Sequence, residues 1–316
     1  MDGPTPRAAR RLRSLLFVPG HKLDWMLKAP SYGPDGLILD LEDAVPLDRK
    51  DAARKAVREA ITQLADTRIA LFVRLNAWGT GQVVADVEAV AVPGLSGVIL
   101  PKPESAEQVV ALDFVLTELE LADAITPGEF EIFPTPESAA GFQHAAAIAA
   151  ASPRVRRFTG GGGGFTAGDA TRSLNLRGRA DHQQALYTAA RLNVAARAAG
   201  ITQVYGGMTT NVADLDLLRA SCERARDFGA TGTFVIHPSH VPVAHEVFSP
   251  SAAEIAAARD VVVLMAEAIA RGDAAVRHHG EMVDYAHART SLDLLHEAES
   301  LGLDVGEYPQ IDILSY

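Results

Sequence analysis

The sequence predicts an α/β fold, a (β/α)8 barrel with a C-terminal helical extension, on three observations. Eight short apolar runs recur along the 316 residues, segments of helical spacing lie between most of them, and polar residues gather where the runs end. Continuous apolar runs suit parallel strands buried on both faces, and strands alternating with helices build a parallel sheet. A doubly wound open sheet shows the same alternation, and the count of eight favours the barrel over it without excluding it.

The elements follow in order. A loose, Arg-rich tail over residues 1–12 precedes the first strand, Ser14–Val18, which stops at Pro19-Gly20. That apolar stretch is shorter than the roughly 7–15 residues of a signal peptide. The second strand is Gly36–Asp40, and Ala53, Val57, Ala60, Ile61 and Leu64 after it form one helical stripe. Ile69–Leu75 and Gly97–Leu100 are the third and fourth strands, and Ser105-Ala-Glu-Gln108 reads as a capping box that opens the next helix. Glu131–Pro134, Val155–Thr159, Gln203–Gly206 and Gly232–Ile236 complete the eight. A second capping box, Ser251-Ala-Ala-Glu254, opens a helix whose Ile255, Ala258, Val262, Met265 and Ile269 share a face. The barrel is therefore expected over residues 1–270. Residues 271–316 form the extension or lid, with His278, His279, a helix over Ala286–Leu301 and a Pro-containing end.

Composition narrows the function. An apolar fraction of 48% with 22% charged residues excludes wholesale disorder, and the length supports a large core. Asp and Glu number 40 against 29 Lys and Arg, a net charge of −11, which argues against nucleic acid or an anionic membrane as partner. A local basic pocket for an anionic ligand stays compatible with that charge. Cys222 is the sole cysteine, so no intrachain disulfide or thiolate metal cluster forms, and a reducing, cytoplasmic setting is expected. The longest alanine-dominated run, Ala145–Ala151, is far below the ~18 residues of a spanning helix.

In such a barrel the chemistry lies at the C-terminal ends of the strands. Asp40, Glu42 and Asp43 end the second, Arg74 and Asn76 the third, Lys102 the fourth, Glu137 the fifth, and His237 the eighth, while the sixth leads through Gly160–Gly164 to Asp169. Glu137 and Asp169 follow neighbouring strands, and two hard oxygen ligands suit Mg²⁺ or Mn²⁺ better than zinc. Alternatively Glu137 caps the next helix, and Asp169 is a loop residue or an N-cap. Arg74, inside the apolar Leu71-Phe-Val-Arg-Leu75, must bind an anion or pair with a carboxylate such as Glu42 or Asp43, because an unpaired buried charge is too costly. His237 is a base or a loop-bracing residue, and His278 and His279 read as surface. The glycine run either cradles a phosphate or acts as a spacer; it is no P-loop, since no Gly-Lys-Ser/Thr follows.

Several motifs resemble one family. They are Arg13-Ser-Leu-Leu-Phe-Val-Pro-Gly20, Leu37-Ile-Leu-Asp-Leu-Glu-Asp-Ala-Val45 with Lys50 and Ala53-Arg54, and Val98-Ile-Leu-Pro-Lys-Pro-Glu-Ser105. Ala195-Ala-Arg-Ala-Ala-Gly-Ile201, Ile236-His-Pro-Ser239 and Glu246-Val-Phe-Ser-Pro250 continue the likeness, which runs from about Arg13 to Asp284. Together they resemble the citrate lyase β-subunit-like proteins of the HpcH/HpaI aldolase superfamily, TIM-barrel C–C lyases that use a divalent metal. The resemblance implies Glu137 and Asp169 as ligands of Mg²⁺ or Mn²⁺, with Gly168-Asp169-Ala-Thr171-Arg-Ser-Leu174 fitting the second-ligand pattern apart from its first spacing. It implies that Arg74 binds the substrate carboxylate or carbonyl, and that Asp284 acts as a catalytic residue over a neighbouring subunit's site. Pro19, Gly20 and Lys22 would contribute to an acyl-thioester pocket, with Glu42, Asp43 and Lys102 in support. A homo-oligomer, a trimer or its multiple, follows from the shared site.

The activity so implied is reversible cleavage of a carboxylated 3-hydroxyacyl-CoA, of the malyl-CoA or citramalyl-CoA type, to an acyl-CoA and a 2-oxo acid. An aldolase acting on a free hydroxy-oxo acid is the alternative. A thioesterase or ligand-binding barrel would follow if the second metal ligand were lost. The sequence also departs from the pattern: the stretch from Glu137 to Asp169 is long by about the glycine run, and an ungapped alignment would put Gly164 in place of Asp169. Spacing from Asp169 to Tyr187 favours Asp169. Tyr205 stands where relatives often carry Asp and His240 where they often carry Gln, which leaves the substrate open.

Overall fold

The apolar runs become strands β1 (Ser14–Pro19), β2 (Gly36–Asp40), β3 (Ala70–Arg74), β4 (Gly97–Pro101), β5 (Glu131–Thr135), β6 (Arg157–Thr159), β7 (Gln203–Tyr205) and β8 (Thr233–Val235) in the computed structural model. The structure describes residues 10–159, 168–177 and 186–311. The glycine run, Gly164 included, lies outside these described residues. Two compact units divide the chain, Met1–Phe248 and Ser249–Tyr316.

In the first unit the strands pair in parallel, in the order β5-β4-β3-β2-β1-β8, with β6 and β7 paired separately. Single bridges, Ile132 to Val155 and Tyr205 to Gly232, lie beside the two seams. The result is a curled parallel sheet, an open half-barrel, where the sequence predicted one closed eight-stranded ladder. The difference has a physical reason: β6, β7 and β8 are three residues long, enough to pair fully with one neighbour but not with two.

Alternate residues of the buried strands serve two cores. Leu37, Leu39, Leu71 and Val73 point to the helix-covered layer, with Val57 and Ile61 of the helix Lys50–Leu64 packed among them. Ile38 and Phe72 point inside the curl, beside Leu12, Leu15, Ile99, Phe133 and Tyr205. That division is why the runs read as continuously apolar. Tyr205 is fully buried there: its ring stacks on Phe234 and its hydroxyl accepts from Arg157, 2.9 Å away. Arg157 in turn donates to Glu131 at 2.9 Å, joining the first residues of β5 and β6. Tyr205 is thus a packing residue of the interior.

The two capping boxes differ in outcome. At 251–254 both bonds form, Ser251 Oγ accepting from Glu254 N and Glu254 Oε2 from Ser251 N. At the helix Ala106–Ala122, Ser105 makes no side-chain cap bond, and Gln108 instead accepts from the backbone of Glu104. In the second unit the helix Ala252–Ala270, counted with the barrel in the sequence, packs Ile255, Ala258 and Val262 against Leu295 and Ala298 of the helix Tyr285–Ser300. Between these helices lies an antiparallel hairpin of β9 (Ala275–His278) and β10 (Glu281–Asp284) that the sequence reading missed. Its two-residue turn, His279-Gly280, has positive φ at both positions, as a twist-matched hairpin turn requires. Cys222 is buried and free, and no described helix is long and apolar enough to cross a membrane.

Gly97 shows how tightly β4 meets β5. A Cβ there would lie 2.5 Å from the Glu131 carbonyl oxygen. Gly97→Ala is expected to destabilise the chain by about 1–3 kcal/mol, the usual cost of forcing extra volume into a packed site. Chemical denaturation checks it; an unchanged midpoint would mean that the two strands part at no cost.

Candidate active site

A cavity of about 500 Å³ opens at the carboxyl ends of the strands, lined by Asp40, Asp43, Arg74, Glu137 and Asp169 on its polar side. Phe17, Ile99, Met208, Phe234 and Ile236 form an apolar wall. The sheet puts these residues together because β1, β2 and β3 end in register at Pro19, Asp40 and Arg74, and β4 and β5 end together two residues further along, at Pro101 and Thr135.

Arg74 ends β3 and meets Asp40, which ends β2, as its register partner. The guanidinium Nε and Nη2 donate to Oδ1 and Oδ2 of Asp40, each at 2.7 Å, a bidentate fork. Phe17 lies beneath, its ring centroid 4.8 Å from the guanidinium carbon. Glu42 Oε2 lies 2.9 Å from Nη1 as a charge contact but makes no hydrogen bond, so it is a buried acceptor without a donor. Asp43 is 3.6 Å away. Burial alone would lower the Arg74 pKa, but these carboxylates hold it above the ordinary arginine range. The sequence reading looked to Glu42 or Asp43 for the partner; the principal partner is Asp40. Buried Lys50 completes this loop by donating to the carbonyls of Leu41 and Glu42.

Lys102 follows β4 in a left-handed backbone conformation, φ +53°. Its ammonium bridges Glu42 Oε1 and Asp169 Oδ2, at 2.7 Å each. Burial works against that charge, yet the two carboxylates raise its pKa well above the usual lysine value. Asp169 is pushed below the ordinary range chiefly by the Lys102 bond, while burial raises the Glu42 carboxyl despite its cationic neighbours. Asp169 is the first residue of the short helix Asp169–Ser173; Gly168 occupies the cap position, so Asp169 is not the N-cap.

Glu137 is also not the cap of its helix. Ser138 has that role, its Oγ accepting from Gly141 N at 3.1 Å. Burial pushes Glu137 up to about 7, against the pull of Arg74 and Lys102, with nearby Glu42 adding to the rise. This carboxyl is poised to change charge near neutrality.

The other predicted positions divide. Pro19 lines the cavity. Gly20 is pressed against β2, its N–H donating to the Asp40 carbonyl at 2.8 Å and a Cβ there meeting that oxygen at 2.5 Å. Lys22 is exposed beside Trp25 and does not line the cavity. Asp284, in the second unit, caps the helix Tyr285–Ser300, accepting from Ala286 N and from His287 Nδ1 at 2.9 and 2.7 Å. Of the departures from the family pattern, neither Tyr205 nor His240 lines the cavity; buried His240 contacts the Val212 carbonyl instead. His237 is exposed and braced by Ser239. Sequence reasoning missed Phe17 as the platform under Arg74 and Asp40 as its holder; the signal for the second was a lone acid ending an otherwise apolar strand.

No group of three or more His, Cys, Asp or Glu side chains converges as a metal cage among the described residues. A site using two protein carboxylates does fit. Glu137 and Asp169 line one cavity, their oxygens suit a hard dication, and Lys102 already brings a cation to Asp169. Acids also outnumber bases around the cavity, where Asp40, Glu42, Asp43, Glu137 and Asp169 face Arg74 and Lys102, with exposed Arg172 beyond.

A charged cleft at the carboxyl edge of a parallel sheet is where α/β enzymes bind their ligands, and this chain is an enzyme of the carbon–carbon lyase class. It belongs to the HpcH/HpaI aldolase/citrate lyase family, whose model matches residues 13–238. The L-malyl-CoA/β-methylmalyl-CoA lyase of Cereibacter sphaeroides is 33% identical over 312 residues, covering 94% of this chain and 97% of the relative. The (3S)-malyl-CoA thioesterase of the same organism is 34% identical over 294 residues, covering 93% and 96%. Among solved structures, protein CitE from Mycobacterium tuberculosis in complex with magnesium, acetoacetate and coenzyme A is similar with a TM-score of 0.70 and 30% identity, covering 92% of this chain and 99% of that one.

Glu137 makes a pH prediction. Its folded-state pKa, about 7, lies above the ordinary 4.5. The folded chain therefore holds this proton more tightly than the unfolded chain. The contribution to stability is full below the unfolded value and is lost as pH rises through the folded one. Melting temperatures without added metal, taken from about pH 5 to about pH 8, should fall less steeply for Glu137→Gln than for the unaltered chain. Parallel curves would show that Glu137 is ionised throughout.

Proposed function

We propose that the chain is a divalent-metal-dependent lyase that cleaves a carboxylated 3-hydroxyacyl-CoA, of the malyl-CoA or citramalyl-CoA type, to an acyl-CoA and a 2-oxo acid. The observation that carries this reading is a fixed guanidinium, Arg74, sharing one cavity with the carboxylates Glu137 and Asp169. The named activity of the malyl-CoA lyase relative and the magnesium, acetoacetate and coenzyme A of the CitE complex support it. In this reading residues 1–270 make up the catalytic domain and 271–316 the extension.

Glu137 and Asp169 would hold Mg²⁺, or Mn²⁺ in its place, and the bound ion supplies Lewis-acid polarisation of the oxo-acid carbonyl. The N–H groups that Arg74 does not give to Asp40 hold the oxo-acid carboxylate and stabilise the developing oxyanion. The apolar wall of Phe17, Ile99, Met208 and Phe234 takes the carbon skeleton and limits water beside the enolate. Pro19 at the cavity, with Gly20 and exposed Lys22 outside it, would contribute to the thioester pocket, and Glu42, Asp43 and Lys102 hold the charged groups in register. Asp284, delivered from a neighbouring subunit of a homo-oligomer, a trimer or its multiple, is the acid that protonates the departing enolate carbon, and a base distinct from it takes the proton of the substrate hydroxyl as the C–C bond breaks. The protein works in the cytoplasm on small molecules, not on nucleic acid or membrane. Thioester hydrolysis is the second reading, favoured by the thioesterase relative.

Product analysis separates the two. Incubated with malyl-CoA or citramalyl-CoA and Mg²⁺, the protein should release a 2-oxo acid with the thioester intact, whereas free CoA with malate or citramalate would establish hydrolysis. Glu137→Ala and Asp169→Ala should each abolish turnover and metal uptake, and full metal affinity in Asp169→Ala would remove Asp169 from the ligand set. Mixing Asp284→Asn with Arg74→Ala chains should restore part of the activity, because some shared sites then combine an intact Arg74 with an intact Asp284. Mixtures that stay inactive despite proven subunit exchange, or an active monomer, would sink the shared site.

A further inference from the structure

We infer that Asp40 is a positioning residue that orients Arg74 and thereby sets how the 2-oxo acid docks; this rests on the proposed role of Arg74. Asp40 is 1% exposed and accepts four hydrogen bonds. Oδ1 takes Arg74 Nε at 2.7 Å and Glu42 N at 2.9 Å; Oδ2 takes Arg74 Nη2 at 2.7 Å and Ala44 N at 3.1 Å. Each oxygen therefore serves one guanidinium donor and one backbone donor. One carboxylate shapes the loop after β2 and sets the plane of the arginine at once.

Two consequences follow for docking. The side edge of the guanidinium, Nε with Nη2, is spent on Asp40, and one of its faces is covered by the Phe17 ring at 4.8 Å. An incoming carboxylate is met by the remaining Nη1 and Nη2 hydrogens at the far edge of the fork, where it has to share Nη1 with Glu42, 2.9 Å away, and Asp43, 3.6 Å away. Asparagine cannot replace Asp40. Whichever way its amide turns, the NH₂ group faces two donors, one from Arg74 and one from the backbone.

The test is a double-mutant cycle on Asp40→Asn and Arg74→Lys, reading pyruvate affinity by calorimetry at saturating Mg²⁺ and the ¹⁵Nε signal of Arg74 by NMR. Lysine keeps a cation beside Asp40 while removing the planar fork. Asp40→Asn should weaken pyruvate binding between about 10- and 100-fold, the scale of a misplaced docking group, and should broaden or shift the Arg74 Nε signal. In the Arg74→Lys background the same change should cost less than about twofold, since no fork remains to be held. An Asp40→Asn chain that binds pyruvate normally, while Arg74→Lys does not, overturns the inference and leaves the Arg74 reading standing. An equal loss in both backgrounds overturns it too, because Asp40 then acts through the loop alone. Normal binding by Arg74→Lys removes the reading of Arg74 and this inference with it. Circular dichroism of each variant checks that the fold survives.

Discussion

Charge at the end of a fully buried sheet has to be answered where it stands, and the Asp40–Arg74 pair is where this chain answers it. The strands β2 and β3 are apolar on both faces, so the only places for ionised groups are the last residues, beside each other in register. A buried pair of this kind is costly to break, because removing one partner strands the other. Around it the remaining acids are arranged in a chain: Glu42 against Arg74 and Lys102, and Lys102 against Asp169. Glu137 stands outside those ion pairs, and its carboxyl is the one shifted to about 7.

The geometry also explains why the pocket is chemically two-sided. Outward residues of the strands feed the helix-packed core, and inward residues fill the curl up to Phe17, Ile99 and Phe234 at its open end. The apolar wall of the cavity is the top of that inner filling, and the polar wall is made by strand ends and the loops beyond them. A substrate with a carbon skeleton and an oxidised, anionic end matches both sides without further specialisation.

Much of this was legible in the residues. The eight apolar runs, the stripe from Ala53 to Leu64 and the box at Ser251 each encode a local rule, and all appear in the fold. Arg74 was legible as an ion that needed a partner, because an arginine inside an apolar strand allows nothing else. Which carboxylate answered it was not, since Asp40, Glu42 and Asp43 lie within four residues and only the strand register chooses among them. The pairing of the short strands was also hidden. Three-residue strands carry too little pattern to say how many neighbours they hold. Tyr205 looked like a change in the site because its place in the chain was known and its direction was not; the side chain turns inward to Arg157.

The split of the sheet into six strands and two has a consequence for how the pocket comes apart. Asp40, Arg74, Lys102 and Glu137 are carried by the continuous six-stranded ladder, whereas Asp169 follows β6, in the two-stranded pair held at its seams by single bridges. Local opening begins where few backbone bonds must break together. The pocket therefore has a durable half and a yielding half, the first carried by the long ladder and the second by a strand pair with fewer bonds to its neighbours, to which the Lys102–Asp169 bond is the tie across the cavity.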